Sequence, residues 1–258
     1  MNTNTDIISK PWIVFVVAPL AIFIFPHVFL VTGGYEAWIM PDPREDGYVE
    51  NASALFFLLA GIYAFYLAKS NIGGQTIFFR AAMVFFGLTA VWVCLEEISY
   101  GQHFIGYSTP DWFLAHNKNR EFNFHNLDKD APSYALKTAG YVLVSTVGIV
   151  APLIARSMKI GYAISGVSIL GLPIPGFFRY FIPTCWMIPP SLLHLFANLP
   201  KNIIKLLPGG QELVESSHYF SESGEYEEYM LGVWVFLYVV SIHAAIRKHS
   251  AISKERKL

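Results

Sequence analysis

The sequence has little charge for its length. Only 14% of its 258 residues are Asp, Glu, Lys or Arg, whereas soluble domains carry about 25%. Hydrophobic residues make up 54% of the chain, and the mean hydropathy is +0.43. This composition excludes an ordinary soluble domain and indicates an integral membrane protein.

Cysteine is also scarce, and neither sign of charge dominates. Cys94 and Cys185 both lie in apolar stretches, so we interpret them as small buried hydrophobic residues and expect no disulfide framework. The net charge of −1 gives no reason to expect a nucleic-acid partner. The sequence contains no P-loop, no dinucleotide-binding glycine motif and no GxSxG nucleophile motif.

Long apolar runs recur along the chain, and about 20 apolar residues are enough to cross a bilayer as a helix. Five runs of about this length are Pro11–Val31, Ala52–Ala68, Ala81–Leu95, Thr138–Ala155 and Tyr229–Ile246. A sixth region, Ile160–Leu199, is broken by five prolines. It is compatible either with one kinked span and a re-entrant piece or with two spans.

Lys and Arg residues predict the orientation, because they concentrate in cytoplasmic loops. If spans alternate from an inside N-terminus, Lys10, Lys69, Arg80, Arg156 and the basic C-terminal tail all fall on one side. We therefore predict an all-α polytopic transmembrane bundle of about six spans, with both termini cytoplasmic. It forms one membrane domain over residues 1–258, with an extracytoplasmic loop at 104–137, an extracytoplasmic acidic segment at 200–228 and a cytoplasmic tail at 247–258.

Two adjacent carboxylates, Glu96 and Glu97, end the third apolar run. A buried and unpaired carboxylate at a membrane edge costs a few kcal/mol, so the pair requires an explanation. If the helix continued to His103, then Glu96, Ser99 and His103 would line one stripe. That stripe would suit a metal or hydrolytic site, although the two acids could equally cap the span at the headgroup level.

A second polar group follows in the loop. Glu121 and His125 are four residues apart, so both could bind one metal ion if the segment were helical. Asn123 and Asn126 would then orient these ligands through hydrogen bonds. The alternative is a solvated loop with a local hydrogen bond.

Acids also precede the last apolar run. Glu225 and Glu228 are the ones expected at the membrane edge, opposite Glu97, whereas the other acids of this segment are expected to form a solvated face. His194 and His243 lie in apolar surroundings and are interpreted as core histidines with hydrogen-bond partners.

The run Glu96-Glu97-Ile98-Ser99-Tyr100-Gly101-Gln102, followed by Glu121-Phe122-Asn123-Phe124-His125-Asn126, resembles a motif pair in an uncharacterised family of multi-pass bacterial membrane proteins. The resemblance covers the middle of the chain and implies no activity. A looser similarity exists to the CREST group of membrane metal-dependent hydrolases, but the HxxxH pair of that group is missing here.

We therefore hypothesise a hydrolase or transferase of a bacterial inner membrane, acting on a lipid or lipid-linked substrate at an extracytoplasmic polar pocket. The expected catalytic residues are Glu96, Glu97, Gln102 and Glu228. The expected ligands of a divalent metal such as zinc are Glu97, Glu121, His125 and Glu225. The residues expected to orient them are Ser99, His103, Asn123 and Asn126. The alternative is a non-catalytic subunit or carrier of a membrane assembly.

Overall fold

The computed structural model describes residues 10–31, 47–70, 76–117, 119–124, 126–127, 132–157, 168–169, 172–173, 178–216 and 223–255. Within these ranges the chain is almost entirely helical, which confirms the all-α prediction. The exception is a short antiparallel pairing of β1 (Ser168–Ile169) with β2 (Leu172–Pro173).

The described part of the chain contains ten helices. Helix α1 begins with a π-helical turn at Ile13–Val17 and continues through Ala18–Val31, and α6 runs through Pro132–Ser145, a π-helical turn at Thr146–Val150, and Ala151–Ser157. The others are α2 (Tyr48–Lys69), α3 (Ile77–Glu97), α4 (Gln102–Ile105), α5 (Asp111–His116), α7 (Ile188–Leu195), α8 (Leu199–Lys205), α9 (Gly210–Ser216) and α10 (Ser223–Glu255).

Four of these helices contain stretches that are long and apolar enough to cross a bilayer. They are Val49–Lys69, Ile77–Glu97, Thr138–Ser157 and Glu225–Arg247. Each matches one of the apolar runs of the sequence, so the coarse prediction of an integral membrane protein is supported. Helix α1 adds a shorter apolar stretch, Ile13–Phe25.

Helix α10 is the centre of the bundle, since most of its side chains between residues 226 and 246 are buried. It runs parallel to α2: Gly232 lies against the Ser53 carbonyl near one end, and His243 contacts Tyr63 towards the other. It runs antiparallel to α3, where Phe86 contacts Tyr238. Small residues allow helices to approach closely in a membrane, which explains the glycine at this α2 contact.

The proline-broken region packs along α10 in the opposite direction. From residue 178 onward it forms two 3-10 turns, Phe178–Phe181 and Cys185–Met187, followed by α7. Three hydrogen bonds join it to α10 in order: Tyr238 OH donates to the Phe181 carbonyl at 2.7 Å, Trp234 Nε1 donates to Ser191 Oγ at 2.7 Å, and Asn198 Nδ2 donates to the Glu227 carboxylate.

Helices α1 and α6 enclose this irregular segment. On α6, Tyr141 contacts His194 with ring centroids 5.4 Å apart, and the Pro152 carbonyl accepts the Cys185 thiol at 3.7 Å. On α1, the Phe23 carbonyl accepts Tyr226 OH at 2.6 Å, near the start of α10. The irregular segment therefore lies between helices rather than on the surface.

Candidate functional site

Helix α3 does not continue to His103, contrary to our expectation. Helix α3 ends at Glu97, and the next turn is left-handed, with φ of +47° at Ser99, +54° at Tyr100 and +80° at Gly101. Glu96, Ser99 and His103 therefore do not form a helical stripe. Left-handed geometry costs roughly 1–2 kcal/mol for each non-glycine residue, and such strain is concentrated at functional sites.

Hydrogen bonds stabilise this left-handed turn. Tyr107 OH donates to the Ser99 carbonyl at 3.0 Å, and the Gly101 N–H donates to the Ile98 carbonyl at 2.7 Å. Burial raises the pKa of the Tyr107 phenol above its ordinary value. A neutral phenol at this position keeps its proton to donate, so the turn keeps its support at neutral pH.

Glu96 ties the end of α3 to the far end of the loop. It is 3% exposed, and its carboxylate accepts Tyr100 OH at 2.5 Å and the Phe124 N–H at 2.7 Å. Tyr100 OH also accepts the Trp92 Nε1–H at 3.1 Å. Desolvation, followed by the hydrogen bond to Glu96, raises the pKa of Tyr100 to about 12. These contacts give Glu96 a structural reason to be buried.

Ser99, Glu121 and Asn123 form a closed polar triangle. The Ser99 hydroxyl donates to Glu121 Oε2 at 3.1 Å, while Asn123 Nδ2 lies 2.9 Å from Ser99 Oγ and 3.0 Å from Glu121 Oε2. His103 Nε2 lies 3.7 Å from the other oxygen of Glu121. Ser99 and Asn123 are 0% exposed, so the serine hydroxyl is not placed as an accessible nucleophile.

Asn117 and Gln102 complete the loop, and the sequence reasoning missed the first of them. Asn117 Nδ2 donates to the carbonyl and to the side-chain oxygen of Asn123, at 2.9 and 2.7 Å. Gln102 Oε1 accepts the Phe122 N–H at 2.8 Å, and its Nε2 donates to Thr109 Oγ1 at 2.7 Å. The only sequence signal for Asn117 was its position directly after a short helix, where an amide commonly caps the chain.

Glu97 is the last residue of α3. It is 5% exposed and lies one helical turn after Cys94, which belongs to a small apolar cluster against which Leu231 packs. Glu228 lies one turn before Leu231 on α10. Because α3 and α10 are antiparallel, Glu97 and Glu228 lie towards the same end of the bundle.

The other expected site residues are placed as follows. Glu225 is one turn before Glu228 on α10, and the Asn126 N–H lies 3.3 Å from Asn123 Oδ1. His125 lies outside the described residues. Residues 119–124 are not helical, and the joint placement of Glu121 and His125 stays a prediction.

No group of three His, Cys, Asp or Glu side chains within the described ranges is arranged to hold a metal ion. Three of the four predicted ligands, Glu97, Glu121 and Glu225, lie within the described ranges. Glu121 belongs to the loop triangle, Glu97 ends α3, and Glu225 lies in the first turn of α10.

Two buried histidines lie inside the bundle. His243 Nε2 accepts the Arg247 Nε–H at 2.9 Å, so its Nδ1 carries the proton and donates it to Tyr63 OH. His243 thus has the partners expected of a core histidine. His194 is 2% exposed, and neither of its ring nitrogens has a hydrogen bond of normal geometry to the described part of the chain.

No model of a known protein family matches the chain, and neither does any curated protein or solved structure. The resemblance of the motif pair to bacterial multi-pass proteins therefore stays a prediction.

Proposed function

We propose that the chain crosses the membrane six times, with both termini on the cytoplasmic side. Four crossings are the long apolar helices, and the other two are α1 and the irregular segment 178–198. The supporting observation is the antiparallel order of contacts between that segment and α10, from Tyr238 at one end to Glu227 at the other. An even number of crossings also agrees with the shared side of the Lys and Arg residues.

We further propose that the chain is a hydrolase or transferase of a bacterial inner membrane, acting on a lipid or lipid-linked substrate at its extracytoplasmic face. The observation that carries this proposal is the buried carboxylate of Glu97 at the end of α3, with Glu228 towards the same end of the bundle on α10. Carboxylates at the edge of membrane helices are costly and mark functional sites more often than surface acids do. Two carboxylates at one end of a bundle can supply a general acid and a general base when one of the two is protonated.

The hydrogen bonds suggest different roles for the other two catalytic candidates. Glu96 holds the Phe124 backbone, and Gln102 holds the Phe122 backbone. Both would act as positioning residues, because they fix the loop beside the carboxylate pair. Glu97 and Glu228 remain the residues that we propose to contact the substrate.

The test is a product assay on protein reconstituted in lipid nanodiscs, with a panel of lipids and lipid-linked substrates and mass spectrometry as the readout. Glu97→Gln and Glu228→Gln are each expected to abolish product formation while thermal unfolding stays close to wild type. The matched control is Glu212→Gln, because Glu212 is an exposed acid on α9. Full activity in a folded Glu97→Gln variant would overturn the proposal.

A divalent metal such as zinc is a separate proposal. A protein site for zinc needs at least three ligands, so Glu97 and Glu228 would have to be joined by a residue such as His125. Elemental analysis of purified protein tests this, with wild type beside His125→Ala and Glu97→Gln. Near-stoichiometric metal that both substitutions remove would support the metal site. Metal-free wild-type protein, purified without chelators, would leave the carboxylate pair to act alone.

A second candidate is a carrier or non-catalytic subunit. It is favoured by the buried ionisable groups along α10, with Glu227 near one end of its buried stretch and His243 near the other. A proton path requires such groups at several depths. Proton flux into liposomes that His243→Gln abolishes and Glu97→Gln preserves would favour the carrier over the enzyme.

A further inference from the structure

The loop that follows α3 has its polarity inverted. Its most buried side chains are polar: Ser99 and Asn123 are 0% exposed and Asn117 is 5% exposed. Many of its large apolar side chains are exposed: Phe104, Ile105, Trp112, Leu114 and Phe124, with exposed fractions from 41% to 75%. A loop that faces water has the opposite arrangement.

This inversion fits an apolar solvent. The buried side chains of Ser99, Asn117 and Asn123 are hydrogen bonded to one another, to Glu121 or to the backbone, so they need no water. Exposing the apolar side chains to water, in contrast, costs roughly 25 cal/mol for each Å² of apolar surface. Large exposed apolar side chains concentrated in one segment are typical of a contact with a membrane or a partner.

The membrane is favoured because the end of α3, from which the loop starts, also exposes apolar side chains. Trp92 and Leu95, in the last two turns of α3, are 43% and 38% exposed, and α4 begins at Gln102, five residues after α3 ends. Trp92 also donates its Nε1–H to Tyr100 OH, which links the outward side of α3 directly to the loop.

The loop also exposes polar side chains. Asp111, Asn119 and Arg120 are exposed, as are Phe104 and Ile105 of α4. The loop therefore presents side chains suited to lipid as well as side chains suited to water. Such a combination is expected of a segment that lies at a bilayer surface.

We propose that the exposed apolar side chains of this loop, Phe104, Ile105, Trp112 and Leu114, insert into the adjacent leaflet of the bilayer. The occupant of this surface is lipid rather than a second copy of the chain or another protein. Asp111, Asn119 and Arg120 lie in the headgroup region or in water. The hydrogen-bonded polar side chains then form the interior of the loop, and its exposed apolar side chains contact lipid.

The first test is spin labelling in nanodiscs. A background without native cysteines, Cys94→Ala with Cys185→Ala, is checked for wild-type thermal unfolding and then receives Ile105→Cys or Asn119→Cys. The label at position 105 is expected to collide several-fold more often with oxygen than with a water-soluble nickel chelate, and the label at position 119 is expected to show the reverse. Asn119 is the matched control because it is exposed in the same loop.

Two results would overturn the proposal. Equal access of nickel to positions 105 and 119 would place the loop in water, and exclusion of both reagents from position 105 would indicate a covering protein. The wild-type chain gives an independent measurement. Lipids brominated near the carbonyl region are expected to quench tryptophan fluorescence more strongly in wild type than in Trp112→Phe, and equal quenching would contradict the insertion.

Discussion

The carboxylate of Glu96 accepts the backbone N–H of Phe124 at 2.7 Å, although 28 residues separate them. This bond closes the whole loop after α3 onto the end of the membrane helix. A charged acceptor for a buried N–H contributes roughly 1.5–3 kcal/mol, and its removal leaves the donor unsatisfied. Glu96 therefore holds the loop against the end of α3.

We expect Glu96→Gln to lower the free energy of unfolding by about 1–2 kcal/mol and Glu96→Ala by about 2–3 kcal/mol, since Ala leaves both donors without an acceptor. Thermal unfolding in detergent measures the loss, and hydrogen exchange at residues 122–124 locates it. Glu212→Gln is the control. Unchanged exchange at the Phe124 amide in Glu96→Ala would show that the bond does not hold the loop.

Arg120 occupies left-handed backbone, with φ of +60°, and its side chain is exposed. Glycine tolerates this geometry and β-branched residues do not. We expect Arg120→Gly to raise stability by up to about 1 kcal/mol and Arg120→Val to lower it by about 1–2 kcal/mol. Chemical unfolding of both variants beside Arg120→Ala checks the order, and a Val variant as stable as the Gly variant would contradict it.

The Tyr100 phenol should ionise at a higher pH than an ordinary tyrosine. Its pKa is raised to about 12 by desolvation and by the hydrogen bond to Glu96, whereas an unfolded tyrosine ionises near pH 10. The hydrogen-bonded, neutral phenol of Tyr100 therefore stabilises the folded state fully below pH 10. This stabilisation is lost as the pH rises towards 12. Ultraviolet titration of wild type minus Tyr100→Phe should show no phenolate absorbance from this residue until well above pH 10. A difference signal centred at pH 10 would refute the hydrogen-bonded arrangement.

Two glycines of α6 provide a matched pair. A Cβ at Gly148 would clash with Ser191 Oγ and lie 2.9 Å from Trp234 Nε1, whereas a Cβ at Gly140 would meet only Leu231 Cδ2, at 3.5 Å. We expect Gly148→Ala to cost about 1–3 kcal/mol through overpacking and Gly140→Ala to be neutral or slightly stabilising. Thermal unfolding distinguishes them. Equal stability of the two variants would mean that the irregular segment does not pack against α6 as described.

The long helices were predictable from the sequence because an apolar run of about 20 residues has few alternatives in a membrane. The apolar runs that became α2, α3, α6 and α10 were all identified. The end of α3 was placed correctly at Glu97, but the continuation to His103 was wrong. Three consecutive left-handed residues depend on tertiary hydrogen bonds, such as the one from Tyr107, that no local pattern reveals.

The sequence was enough to select most residues of the candidate site. It was not enough to predict which of them contact one another. Glu96, Ser99, Gln102, Glu121 and Asn123 were all selected from the sequence, and the structure does bring them into one loop. It joins them by hydrogen bonds that span 20 or more residues, which spacing along a helix cannot anticipate. Asn117 was missed because its contacts, to the backbone and amide of Asn123, exist only after the loop has closed.

The irregular segment also has a consequence for how the chain is synthesised. Two 3-10 turns separated by Pro183 leave backbone groups that a continuous helix would satisfy, and Tyr238 on α10 supplies one of the missing donors, to the Phe181 carbonyl. Lipid offers no such donor. Because α10 emerges from the ribosome after this segment, the segment reaches its final conformation only once the last helix has been made and has entered beside it.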